Sequence, residues 1–310
     1  MTNSSDGIQS VTATSLRHPL LDRQQLEVAL LLSIMMVFVP AAGVSGEELL
    51  QDTLKSMLVC FFALPAALVF FWHQRKQCAV VQLHRLVWLP IGLMAYALAS
   101  MTWSHPYLGG VEAVRWFTFS LILFLGMNTF TTARIPLLAW CIHLGAVLAS
   151  LWTALQFWFD WSYFSQGPNP ASTFVNRNFF AEFVVCTLPF SALLLTLVKD
   201  KISVFLLTIS LGFNISALMM TGTRSAMLGL LALLVILPVI VLVYRKQFCS
   251  SGWHLCHCIG LAVLLVGTVT MMGGIHTANP KLIAESGQSN AIDRAFKRTA
   301  SCCLPHRNSD

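Results

Sequence analysis

TFVNRNFF (Thr173–Phe180) and MTGTRSA (Met220–Ala226) are two short polar turns set among apolar runs, and each holds one arginine, Arg177 and Arg224. Between them lie the runs at about 179–198 and 202–220, separated only by Lys199, Asp200 and Lys201. Roughly 20 apolar residues cross the hydrocarbon core of a bilayer as a helix. Two spans with one short break put both turns on the same side of a membrane.

Working outward, seven further stretches qualify as spans, at about 27–46, 55–72, 86–103, 113–130, 135–159, 225–243 and 258–275. Strand-like alternation is absent, and backbone groups in lipid must be satisfied within the segment. The expected fold is therefore an all-α membrane protein with about nine transmembrane helices. Its organisation reads as a polar N-terminal segment (1–25), a polytopic domain (26–275) with its motif-bearing core at 165–240, and a tail (276–310). The run after residue 25 is too long for a signal-peptide core and has no clear cleavage site, so it reads as a retained first span. Composition agrees: 56% of residues are hydrophobic and 10% charged, with a mean hydropathy of +0.71.

In a soluble protein the net charge of +6 would suggest nucleic acid. Here the basic residues sit mostly in short loops between apolar runs, where membrane topology accounts for them, and no nucleic-acid partner is expected. With the N-terminus cytoplasmic, the inner segments collect Arg17, Arg23, Arg75, Lys76, Arg85, Arg134, Lys199, Lys201, Arg245 and Lys246, against Lys55, Arg115, Arg177 and Arg224 outside. That asymmetry places both turns, and the start of the tail, on the non-cytoplasmic face. The nine cysteines show no disulfide spacing. His254, Cys256, His257 and Cys258 are metal-ligand types, but no second cluster completes a tetrahedron, and chance clustering is the better reading. Trp103, Trp158, Trp161, Tyr107 and Tyr163 read as an interfacial aromatic belt.

The two turns are where chemistry is expected. Asn176 suits an N-cap, and a helix opening at Arg177 and Asn178 adds a partial positive charge and N–H donors to the guanidinium. Thr223, Arg224 and Ser225 open a second helix after Gly222, which lets a ligand approach the backbone closely. A pair of arginines suits a pyrophosphate, since each guanidinium offers parallel donors to phosphate oxygens at fixed charge. The competing reading for both residues is anchoring to lipid headgroups, with the asparagines only capping the helix. No acidic metal-binding motif is present, so metal-assisted transfer is not favoured.

TFVNRNFFAEF before one span and MTGTRSAMLGLLALL opening another resemble the O-antigen ligase and O-antigen polymerase superfamily of bacterial polytopic membrane proteins. The match is close over about residues 165–240, and upstream the spans agree only in number and hydropathy. The resemblance implies a glycosyltransferase at the periplasmic face of the inner membrane. Its donor would be a glycan on undecaprenyl pyrophosphate, a carrier and not a cofactor. Its acceptor would be a hydroxyl on lipid A core, on a polysaccharide or on a protein. It further implies metal-independent chemistry, with Arg224 at the pyrophosphate, Arg177 in the asparagine turn and Arg115 as a further contact. The family's large outer loop, with its histidine, has no recognisable counterpart after His276. The expectation is therefore that the tail is a shortened outer loop and the chain is inactive as it stands.

A polymerase of the same superfamily is one alternative. A lipid-linked glycan transporter or flippase is another, for which polar residues near the midplane and internal repeats are expected. No repeat is evident, and His143 and Glu182 are the main polar exceptions within the spans.

Overall fold

The computed structural model describes residues 19–45, 51–77, 83–161, 163–164, 169–243, 255–280, 282–283 and 290–300. They form α1 (Pro19–Ala41), α2 (Gln51–Gln77), a 3-10 turn (Arg85–Val87), α3 (Trp88–Ser100), α4 (Pro106–Thr129), α5 (Ile135–Phe159), α6 (Arg177–Leu197), α7 (Lys201–Thr221), α8 (Arg224–Val243), α9 (Leu255–Gly274) and α10 (Ala291–Ala300). No strand occurs among them. Five helices, α2 and α4 to α7, are long and apolar enough to cross a membrane. Shorter apolar helical segments cover Gln25–Ala41, Arg85–Ser100, Met227–Ile236 and Ile259–Gly274. Each of the nine apolar stretches of the sequence thus coincides with a helix. The boundaries differ most at α4, which starts at Pro106 in the favoured first-turn position for proline and not at about 113. His254 and Cys302, Cys303 and His306 lie outside the described residues, as do the side chains of Cys256, His257 and Cys258.

α5 and α7 form the centre, packed on each other, on α6 and, respectively, on α1 and α9. Small residues make this close approach possible. Ala139, Ala146, Ala149, Ala181 and Ala217 are fully buried, the pattern expected where helices pack without a hydrophobic driving force between them. Gly145 is the tightest point. A Cβ there would sit 2.2 Å from the Met36 carbonyl oxygen of α1.

Buried polar groups tie the same helices together. His143 of α5 reaches Ser191 of α6 with Nδ1 and Ser210 of α7 with Nε2, each at 2.8 Å. Both ring nitrogens are occupied, so His143 acts as a packing residue across three helices. At the opposite end of α7, Asp200 caps the helix, accepting from the Ser203 N–H at 2.9 Å, which holds its carboxyl below the usual carboxylate range.

The described part of the tail is folded onto the bundle. Thr277 donates to the Phe157 carbonyl, and the Ala278 N–H donates to the Trp158 carbonyl at 3.1 Å. α10 then buries Ala291 and Ala295 against Phe157, Met219, Met220 and Leu282. Arg294, fully buried, donates to Asn169 and lies over the Phe157 ring. The tail is therefore part of the packing beneath both turns.

Replacing Gly145 by leucine drives a side chain into the α1 backbone, where overpacking costs about 1–3 kcal/mol. A lowered midpoint of thermal unfolding in detergent is the expected outcome.

Candidate functional site

Residues 171–173 carry the chain from α5 towards α6, and they are buried. Their backbone groups need partners inside the protein. Gln156 of α5, 1% exposed, supplies them. Its Oε1 accepts from the Ala171 N–H at 3.1 Å and the Ser172 N–H at 2.8 Å, and its Nε2 donates to the Ser172 carbonyl at 2.9 Å. Ser172 adopts a left-handed backbone (φ 58°) and donates its hydroxyl to the Ala149 carbonyl at 2.6 Å.

One residue on, the Thr173 hydroxyl donates to the Pro40 carbonyl at 2.6 Å. Lys55 of α2 closes this corner. Its Nζ donates to the Val39 and Ala42 carbonyls at 3.0 and 3.1 Å and to the Thr173 hydroxyl at 3.0 Å, and it lies 4.1 Å from the Phe174 ring centroid. A cation at the end of α1 also complements the negative end of that helix dipole. Neither Lys55 nor Gln156 is singled out by the sequence as a site residue. The signal that was available for Gln156 is that it is the lone side-chain amide in its span.

From this anchored loop the chain turns into α6. Asn176 is the N-cap, its Oδ1 accepting from the Asn178 N–H at 2.9 Å. Arg177 and Asn178 are thereby the first two helical residues. The second turn is built differently and arrives at the same arrangement. α7 ends at Thr221, and Gly222 takes the left-handed conformation (φ 61°) that ends a helix without a Cβ penalty. The Thr221 hydroxyl donates to the Leu218 carbonyl at 2.7 Å and accepts from the Thr223 N–H at 3.3 Å, with the Thr223 hydroxyl 2.9 Å away. Arg224 and Ser225 then open α8.

Arg177, Asn178, Gly222, Thr223, Arg224 and Ser225 line one cavity of about 450 Å³. The two turns, apart in sequence by two full helices, are brought together. α6 and α8 both point their N-termini at this space and pack together below it, where Gly229 meets Val185. Neither helix has an acidic residue in its first turn. The cavity therefore gathers two guanidiniums, two helix N-termini and the short polar side chains of Asn178, Thr223 and Ser225, which together suit a multiply charged anion.

Two expected residues stand elsewhere. Asn176 does not line the cavity and acts on it through the cap. Arg115 lies in the third turn of α4, paired with Glu112 at 2.6 Å, and lines a different cleft. Among the described residues no group of three or more His, Cys, Asp and Glu side chains comes together.

Comparison with protein-family models, with curated proteins and with solved structures finds no match for this chain.

Gln156→Leu strands the Ala171 and Ser172 backbone groups, at about 1–3 kcal/mol for each buried group left unsatisfied. Thermal unfolding in detergent is expected at a lower temperature than for the parent protein, by more than an exposed control such as Val175→Ala produces.

Proposed function

We propose that the chain is a glycosyltransferase of the O-antigen ligase type. It would move a glycan from undecaprenyl pyrophosphate to a hydroxyl acceptor at the periplasmic face of a bacterial inner membrane. The observation that carries this reading is the single cavity into which the FVNRN and TGTR turns deliver Arg177 and Arg224 together. In this reading the nine apolar helices all span, with the N-terminus cytoplasmic and both turns outside.

The acceptor oxygen attacks the anomeric carbon and forms the new glycosidic bond as the bond from that carbon to the diphosphate oxygen breaks. Undecaprenyl diphosphate leaves with the electron pair. Its developing charge is met by Arg177 and Arg224 and by the positive ends of the α6 and α8 dipoles, fixed in place before the reaction and needing no reorganisation. Asn178, Thr223 and Ser225 bind the remaining phosphate oxygens. The acceptor proton passes to a base on the aqueous side, and the exposed His276, the first residue of the tail, is the candidate. The transporter alternative loses ground at His143, because both of its nitrogens are engaged in bridging helices.

Arg224→Ala removes one preorganised donor, and transfer from a lipid-diphosphate donor is expected to slow by about 10²- to 10³-fold. Arg224→Lys should restore only part of the rate, since a point charge does not reproduce the guanidinium fork. An unchanged rate in Arg224→Ala overturns the assignment.

Topology is tested with a membrane-impermeant thiol reagent on intact spheroplasts. The label belongs at Val175, 54% exposed, and not at Ser172, which is 2% exposed and held by Gln156. Val175→Cys should react and Lys199→Cys should not, and the opposite pattern inverts the orientation.

A further inference from the structure

Asn214 is a fully buried residue of α7, and neither its Nδ2 nor its Oδ1 finds a hydrogen-bond partner among the described residues. The hydroxyl of Ser150 on α5, also fully buried, finds none either. A carboxamide shielded from solvent and unsatisfied at both its donor and its acceptor is costly, and native proteins rarely keep one.

Helix register brings these groups to one place. His143 meets Ser191 and Ser210 at one level of the bundle, and nearly two turns nearer the TGTR turn Ala149 packs with Val184 and Ala217. α5 and α7 therefore run in the same direction, with α6 against them. Asn214 shares the face of α7 that carries Ser210 and Ala217, and it stands one turn from the histidine level, opposite Thr187 of α6 and Ala146 of α5. Ser150 follows one turn beyond Ala146, on the stripe of α5 that carries His143. Ala146 and Thr187 are buried, and their side chains are short. The Thr187 hydroxyl donates to the Val184 carbonyl at 2.7 Å, so what it offers the junction is lone pairs. The site is also neutral. α5 and α7 hold no acidic residue, and Glu182 of α6 is exposed on the side of its helix away from Thr187 and Ser191.

We propose that the junction of α5, α6 and α7 is a binding site for internal water, held by Asn214, Ser150 and Thr187. Water donates to Asn214 Oδ1 and to the Thr187 hydroxyl oxygen and accepts from Asn214 Nδ2, and the Ser150 hydroxyl is a further partner. Buried water typically makes two to four such bonds to groups that are otherwise unsatisfied. A cation would serve the carbonyl side of the amide alone and would find no carboxylate to balance it, and an anion would serve the N–H side alone. The inference does not depend on the glycosyl-transfer reading, since it concerns the core of the bundle and not the cavity between the two turns.

The test uses the full chain, isotope-labelled and reconstituted in lipid vesicles, and solid-state NMR in which magnetisation starts on water and passes only to protons close to it. The Asn214 carboxamide should gain magnetisation, as that of the exposed Asn178 does, while the N–H of Ala66, in the apolar cluster of α1, α2 and α4, gains almost none. Asn214→Leu matches the branched shape of the side chain and removes both amide groups. In that variant the transfer to the Ser150 N–H should fall to the level of Ala66. Ser150→Ala, which suits a helix, removes one partner of the water and should reduce the transfer to Asn214, and it carries the test if Asn214→Leu does not fold. A parent protein whose Asn214 carboxamide gains no more than Ala66 overturns the proposal. So does a monodisperse Asn214→Leu protein in which Ser150 keeps the parental transfer, or a Ser150→Ala protein in which the transfer to Asn214 is unchanged.

Discussion

The carboxamide of Gln156 is the interaction on which the candidate site depends. A chain that leaves one apolar helix and starts another must bury some irregular backbone if the turn is to lie close against the bundle, and buried N–H and C=O groups without partners are costly. One side chain meets three of them, at Ala171 and Ser172, and the Ser172 and Thr173 hydroxyls extend the anchorage to α5 and α1. Lys55 then fixes the same segment to α2. Beyond Thr173 the Phe174 N–H donates to the Ala171 carbonyl at 3.0 Å and Asn176 caps the helix, and it is there that Arg177 emerges. The position of this guanidinium is thus set by contacts made before its own helix begins.

The opposing turn reaches a fixed geometry by local means. Gly222 supplies the left-handed residue, and Thr221 and Thr223 hydrogen-bond within the turn. Its foundation is supplied from the tail, since Met219 and Met220, next to the turn, pack against Ala291 and Ala295 of α10. Arg294 connects that helix to Asn169, in the loop that leads to the first turn. Both turns therefore share one support, which accounts for a buried arginine at a position with no place in the cavity.

Much of this was legible in the sequence, for identifiable reasons. Length and hydropathy are properties of each segment alone, so the nine apolar stretches could be read off and each is helical. The two turns could be placed on one side because the number of crossings between them does not depend on tertiary structure. Their convergence on one cavity required the packing of α6 against α8, to which only Gly229 and Val185 give a hint. Arg115 was drawn into the site because the charge asymmetry of the sequence assigns it to the same side as the two turns. Sidedness fixes one coordinate of three, and in the plane of the bundle α4 holds it against α2. Lys55 looked like a stray basic residue of an outer loop, because its partners at Val39, Ala42 and Thr173 are distant in sequence.

The charge gathered at the cavity has a consequence for the proposed transfer. Each helix N-terminus is equivalent to about half an elementary charge, so two of them with two guanidiniums amount to about +3. A glycan joined to its lipid through a diphosphate carries two negative charges, one on each phosphate. Once the sugar has left, the terminal phosphate gains another ionisable oxygen, and the fully ionised product carries three. A site with about three positive charges fits the departing diphosphate better than the intact donor, and the difference grows as the bond to the sugar stretches. Stabilisation that increases along the reaction coordinate accelerates the step, whereas equal binding of donor and transition state does not. Lipid anchoring of two independent arginines would not require their helix ends to meet. The shared cavity, with no acidic residue in either first turn, brings both guanidiniums and both helix ends to the place where a single anion would sit.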